Sequence, residues 1–328
     1  MKIPRPTSPR RTRRGFTLVE LLVSMTVLAG LMLLVTHLVN GTSQVIGRSG
    51  KHMDSDTEAR LLFNRMAVDI TRALKRPDID YASFKQPGGS LGGSYNNTTI
   101  SANLQPGNDQ VAFYSETEGY FSGSKQPAGI QKSPVSIVGY RLANDPYTKL
   151  PGLLRLGKGL GWDPESGGSW GSVSYLPMTI QGQWPNLFNN DADYKTVGSQ
   201  VVRFEYSYLL KASGTQPARL SITPWDSSAT PAHTSIDGFR DVAAIVVALV
   251  VLDTNSRATV TDYSKLTGTA IFPDAVDAAS DGKYGGDLAA AWNAVVNSED
   301  FAARANLTPA AAAGVRVYER YFYLDTQQ

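Results

Sequence analysis

The chain contains no cysteine in its 328 residues. Disulfides, thiol nucleophiles and cysteine-based metal sites are therefore excluded, and the fold must be held by its core alone. Histidine is scarce as well. His37, His52 and His233 are far apart and lack metal-ligand spacing. Charged residues make up only 18% of the chain, against about 25% in an ordinary globular domain. Gly (30) and Pro (18) are plentiful, which predicts many turns and loops. The chain has no Walker A, zinc-protease or EF-hand pattern. With no assembled nucleophile, acid and base, catalysis has no support, and no cofactor or metal is implied.

The formal net charge of +2 hides an uneven distribution. Residues 1–15 hold Lys2, Arg5, Arg10, Arg11, Arg13 and Arg14, and no acid. Removing these six from the 31 basic residues leaves 25 against 29 acids, a net charge of −4. The basicity thus belongs to a leader and reports topology. Basic flanks stay cytoplasmic, so the N-terminus is expected inside and residues after about Asn40 outside. The acidic remainder gives no electrostatic support for a nucleic-acid partner.

A long apolar run begins directly after the leader. Phe16 to Val39 is 24 residues, long enough to span hydrocarbon as a helix. A secretory signal has a shorter apolar core followed by a small-residue cleavage site, so this run is expected to be retained. One carboxylate, Glu20, sits five residues into it. A carboxylate in such a segment is costly and marks a functional site by default. Ser24, Thr26 and Thr36 are placed to bond back to helix carbonyls, Gly30 is a close-packing point, and His37 sits near the outer interface.

The string Arg13-Arg14-Gly15-Phe16-Thr17-Leu18-Val19-Glu20 resembles the signal of type IV prepilins and type II secretion pseudopilins. That resemblance implies cleavage between Gly15 and Phe16 by prepilin peptidase and N-methylation of Phe16. The missing side chain at Gly15 suits entry into a narrow protease cleft. The resemblance also implies that Glu20 neutralises the new amine of a neighbouring subunit during assembly. Two opposite charges at low dielectric attract strongly, whereas one alone is heavily penalised. The implied partners are prepilin peptidase, other pilin-like subunits, an inner-membrane assembly platform and membrane lipid. The implied location is the inner membrane, single-pass, with a periplasmic C-terminal domain that joins a filament. Many type IV pilins close a C-terminal loop with a disulfide. The lack of cysteine favours a pseudopilin or minor pilin. Glu58-Ala59-Arg60 through Asp69-Ile70, with Val201–Tyr208 and Phe239–Asp253, looks like the minor pseudopilin of the J type. The Tyr-Glu-Arg-Tyr-Phe-Tyr-Leu ending and the run from Val250 to Arg257 resemble the Verru_Chthon cassette protein C family.

Beyond the span, helical spacing resumes from Lys51. Leu62, Met66, Ile70 and Ala73/Leu74 share one face, with Phe63 and Ala67 beside them. Arg60, Arg65, Asp69 and Arg72 are expected on the other side, with i,i+4 pairs Asp56–Arg60 and Arg65–Asp69. A kink or frayed stretch is expected at Asn40–Gly50, and Pro77 ends the helix. Residues 83–107 read as an irregular loop. Strands are expected at Gln110–Ser115, Val135–Leu142, Val173–Ile180, Val201–Leu210, Ala243–Leu252 and Val315–Leu324. In Val201–Leu210 the apolar residues alternate with Arg203, Glu205 and Ser207, the pattern of a half-buried strand. Residues 254–312 read as an insertion with helices at Leu288–Asn297, capped by Asp287, and Glu299–Ala305.

The expected fold is α+β, a pilin-like ladle with a long N-terminal helix packed on an antiparallel β-sheet domain. Its parts are a leader (1–15), a membrane half of the stem helix (16–40), an amphipathic half (41–76) and a β-rich domain (77–328). Asp163, Glu165, Asp191 and Asp193 read as solvated loop acids, and Trp162, Trp170, Trp184 and Trp225 as loop anchors. The function expected is a structural subunit of a type II secretion or type IV pilus-like filament. The alternative is a membrane-anchored ectodomain that binds a glycan or secreted cargo.

Overall fold

The computed structural model describes residues 17–75, 81–84, 90–93, 97–99, 108–120, 132–145, 147–159, 193–214, 216–234, 237–275 and 288–324. The chain divides into two compact units, Met1–Gly50 and Lys51–Gln328. Helix α1, Leu18–Thr71, crosses the division. The architecture is α+β, as its sequence pattern predicts.

The expected frayed stretch at Asn40–Gly50 is not seen, because the helical assignment of α1 runs without a break through these residues. Glycine costs about 1 kcal/mol each in a helix interior, but propagation from both sides adds one bond per residue fixed. The C-terminus also differs. The helix stops at Thr71, before Pro77, because the chain turns to bond a strand. Leu74 N donates to Tyr114 O at 2.8 Å, and Glu116 N donates to Arg72 O at 2.9 Å.

The described residues of Lys51–Gln328 form two sheets. The first holds β1 (Tyr81–Phe84), β2 (Ser90–Gly93), β3 (Asn97–Thr99), β4 (Gln110–Ser115), β5 (Gly119–Tyr120), β6 (Lys132–Ser133), β7 (Ser136–Asn144), β8 (Pro151–Gly159) and β9 (Tyr194–Gly198). Its order is β3-β2-β1-β4-β7-β8-β5-β6, and β9 also pairs with β8. Strands β1 to β3 correct the reading of 83–107 as an irregular loop. Strands β2 and β3 have little strand propensity, but β1 pairs with β4, β2 with β1 and β3 with β2 through the backbone. The second sheet holds β10 (Val201–Leu210), β11 (Arg219–Ser221), β12 (Val242–Leu252) and β13 (Val315–Tyr323), in the order β11-β10-β12-β13.

The apolar stripe of α1 fills the space between these sheets. Ala59, Leu62, Phe63, Met66 and Ile70 form one core with Val111, Phe113, Val138 and Tyr140 of the first sheet and Phe204, Tyr206, Val247 and Phe322 of the second. Gly198 allows the close approach, since a Cβ there would lie 2.8 Å from Leu62 Cδ1.

Two expectations of exposure are corrected. Asp69, expected on the polar side of the helix, is 0% exposed. Arg155 of β8 grips it with Nε to Oδ2 at 2.6 Å and Nη2 to Oδ1 at 2.8 Å. Tyr140 Oη donates to the same carboxylate, and Arg65 lies 3.5 Å away. Asp56 accepts from Tyr318 Oη at 2.5 Å instead of pairing with Arg60. The second correction concerns Arg203 and Glu205, which are 0% and 1% exposed. The face of β10 that carries them is roofed by residues within 254–275 and 288–312. This segment contains α2 (Thr254–Arg257), α3 (Ser264–Thr267), α4 (Leu288–Val296), α5 (Phe301–Arg304) and α6 (Pro309–Ala312). Leu266, Phe272, Trp292 and Phe301 pack there on Val202, Val250, Leu252 and Val315. Arg203 pairs with Glu205 at 2.9 Å and with Asp274. The described residues of this segment thus contribute to a second hydrophobic cluster. Strand Val173–Ile180 and the capping residue Asp287 lie outside the described residues, as do Trp162, Trp170, Trp184, Asp163, Glu165 and Asp191. Asp193 is not a solvated acid, since Lys158 Nζ is 3.2 Å from its Oδ2 and both side chains are largely buried.

Candidate functional site

The site lies at the N-terminal end of α1, where the polar leader gives way to the apolar run. The first four amides of any helix lack partners within it. Here the sequence Thr17-Leu18-Val19-Glu20 supplies them in the pattern of a capping box. Thr17 N donates to Glu20 Oε2 at 3.0 Å. Glu20 N donates to Thr17 Oγ1 at 3.3 Å, and that hydroxyl donates to Glu20 Oε2 at 3.1 Å. The Thr17 carbonyl accepts from Leu21 N at 3.2 Å, which opens the regular ladder.

This geometry fixes one oxygen of the carboxylate. Oε2 takes both bonds from Thr17, and Oε1 takes neither. Glu20 therefore faces the first turn, beside the Thr17 amide. Gly15 and Phe16 lie outside the described residues. Thr17 was not among the residues the sequence reading singled out. Its signal is the Thr-x-x-Glu spacing of a helix start.

The helix that follows, Leu18–Val39, is 22 residues and apolar enough to cross a membrane. At 1.5 Å per residue it reaches about 33 Å, close to the thickness of the hydrocarbon core. Every side chain from Leu18 to Val39 is exposed in the isolated chain. The hydroxyls do what their spacing predicts: Ser24 Oγ donates to Glu20 O at 2.7 Å, Thr26 Oγ1 to Val23 O at 2.8 Å, and Thr36 Oγ1 to Met32 O at 2.8 Å. Their polar groups are satisfied within the helix, as a lipid environment demands. A solvent-exposed apolar helix of this length needs lipid or other helices around it.

Elsewhere, the charged clusters serve the fold. The His233 ring lies 2.7 Å from Asp241, whose Oδ2 also accepts from Asp226 N at 2.8 Å, closing a loop. Asp54 accepts from Thr254 Oγ1 at 2.9 Å, and Glu58 from Gln200 N at 3.4 Å. Burial pushes the Glu58 carboxyl up, against the pull of the Gln200 amide. Among the described residues no group of three His, Asp or Glu side chains is arranged to hold a metal.

Comparison with known proteins places a family model on this site. Residues 10–36 match the prokaryotic N-terminal methylation motif, which spans the end of the leader, Gly15, Phe16, Glu20 and most of the apolar helix. No curated protein and no solved structure matches the chain. The apolar helix with this motif gives a single-pass membrane anchor. The chain therefore carries, at its N-terminus, the signature of type IV pilins and pseudopilins.

Proposed function

We propose that this protein is a minor pseudopilin or pilin-like structural subunit of a type II secretion or type IV pilus-like filament. It is a substrate for processing and a building block, not a catalyst. The observation that carries the reading is the methylation motif at residues 10–36, set on a membrane-length helix whose entry is fixed by Thr17 and Glu20. Prepilin peptidase cuts after Gly15 and methylates the Phe16 amine. The leader's basic residues hold the N-terminus in the cytoplasm, and Lys51–Gln328 folds on the periplasmic side. An inner-membrane platform then draws the subunit from the lipid into the filament. The J-type minor pseudopilin is the narrower assignment supported by the α1 and β10–β12 segments, with the Verru_Chthon cassette protein C family narrower still.

Assembly follows from the electrostatics of the entry. In the single subunit Oε2 of Glu20 is bound to Thr17, while Oε1 is left for a second donor. The methylated Phe16 amine of an adjacent subunit is that donor. Pairing removes two charges from hydrocarbon at once and is satisfied in only one axial register. The test is Glu20→Leu and Glu20→Gln in cells that make the sibling subunits. Both variants should insert and be cleaved, yet fail to co-purify with siblings in sheared filaments. Normal incorporation of Glu20→Leu would remove Glu20 from assembly.

A further inference from the structure

Helix α1 buries one side within Lys51–Gln328 and presents the other. The presented side carries Arg60, Leu61, Asn64, Arg65 and Val68, with Arg72 one residue past the helix end, all exposed. Leu61, Val68 and the turns between them recur at i, i+3/i+4 and i+7, so they form one stripe. Leu61 and Val68 are 63% and 45% exposed; the guanidinium groups of Arg60 and Arg72 flank them, while that of Arg65 lies 3.5 Å from Asp69. Strand β13 borders this stripe. Arg320 Nη1 donates to Asn64 Oδ1 at 3.1 Å and Phe322 packs on Phe63, while Tyr321 and Tyr323 alternate to the opposite face of the strand.

The sign of this flank opposes that of the mature chain, which carries a net charge of −4 once the six leader bases are set apart from the 31. Nearby acids are already engaged. Asp56 accepts from Tyr318, and Asp69 from Arg155 and Tyr140. Glu116 is exposed at the far end, where its amide donates to the Arg72 carbonyl. An apolar centre with an arginine-rich rim is the composition of a protein interface.

We propose that this flank docks the acidic helical face of a sibling pilin-like subunit. The inference rests on the filament reading above and names the surface and the partner's chemistry. A second copy of this chain is a poor occupant. Its own helical acids in this region, Asp54, Asp56 and Glu58, already accept from Thr254, Tyr318 and Gln200. Exposed charges at such a rim set partner choice and encounter more than raw affinity.

The test uses the full chain in native membranes. A photo-crosslinking residue is placed at Leu61 or Val68, with Tyr147, 87% exposed beyond the end of β7, as the control position. Crosslinked peptides are sequenced by mass spectrometry. The expected product joins position 61 or 68 to an Asp- or Glu-rich helical stretch of a different protein that bears the N-terminal methylation motif. Arg60→Glu with Arg72→Glu should cut the yield about tenfold without changing thermal unfolding. Converting the partner's acids to arginine should restore it. Crosslinks to lipid or to a second copy, a yield no higher than at Tyr147, or indifference to charge reversal would each overturn the proposal. The N-terminus is sequenced in the same sample. A processed chain without the crosslink rejects the flank alone, whereas an unprocessed chain rejects the filament reading itself.

Discussion

Replacing Asp69 by Asn is the sharpest test of how α1 is fastened to the sheets. Asn keeps the shape and loses the charge. In the native chain Asp69 is 0% exposed and the Arg155 side chain 11% exposed, joined by two bonds of 2.6 and 2.8 Å. The variant leaves the Arg155 guanidinium largely buried without its anion. Stripping one partner from a buried ion pair costs about 3–5 kcal/mol. For a unit this large each kcal/mol moves Tm by about 2–4 °C, so the drop should be about 6–20 °C. Thermal unfolding of the full chain in detergent micelles, followed by circular dichroism, measures it. The companion variant replaces the whole cluster, Asp69→Leu with Arg155→Met and Tyr140→Phe. Without charges to desolvate, it should unfold within about 1 kcal/mol of the parent. A loss below about 1 kcal/mol for Asp69→Asn, or a triple variant worse than the single one, would refute the reasoning.

Other outcomes follow from particular contacts. Trp292→Ala removes a fully buried ring that sits 5.7 Å from Phe272 and donates from Nε1 to Pro273 O at 2.9 Å, and should cost about 3–5 kcal/mol in a denaturant titration. Asp145 is held down to about 2, first by the Thr148 amide and then by the Thr196 hydroxyl, against an ordinary 3.8. A depressed carboxylate contributes above its unfolded value and loses that contribution as pH falls through its folded one. Asp145→Asn should therefore flatten the fall in Tm between about pH 4 and pH 2 and leave the curve above pH 5 parallel to the parent. Glu58 has the opposite sign, since burial raises its carboxyl and the neighbouring Asp54 adds to the rise. Glu58→Gln should raise Tm at pH 7, with the gain vanishing at a pH where both folded and unfolded carboxyls are protonated. Thr17→Ala removes the cap hydroxyl that serves both Glu20 N and Glu20 Oε2, and should loosen amide protection at residues 18–21 in hydrogen exchange, while Thr17→Ser should retain it.

Much of this was legible in the sequence because it is periodic. The buried stripe of α1 follows from the 3–4 spacing of Leu62, Met66 and Ile70, and β10 and β12 follow from their β-branched and aromatic runs. Failures occurred where partners distant in sequence decide. Asp69 sits on the buried side of α1 only because Arg155, 86 positions later, supplies the countercharge. Arg203 and Glu205 read as solvent-facing because nothing in β10 announces the roof built by residues within 254–275 and 288–312. Strands β2 and β3 carry few β-forming side chains, so their pairing is visible only in the backbone. At the N-terminus, the methylation motif over residues 10–36 was legible from a short local signal. The capping role of Thr17 was equally local and needed only the Thr-x-x-Glu spacing to be read as a helix start.

The central claim is that the leader is removed and the helix of Thr17 and Glu20 becomes the start of an assembled subunit. Mass spectrometry of the protein from its native membrane tests it most directly. The account predicts a chain that begins at Phe16 and carries one methyl group on its α-amine. An intact Met1 terminus in cells that contain active prepilin peptidase, or a cut at any bond other than Gly15-Phe16, would contradict it.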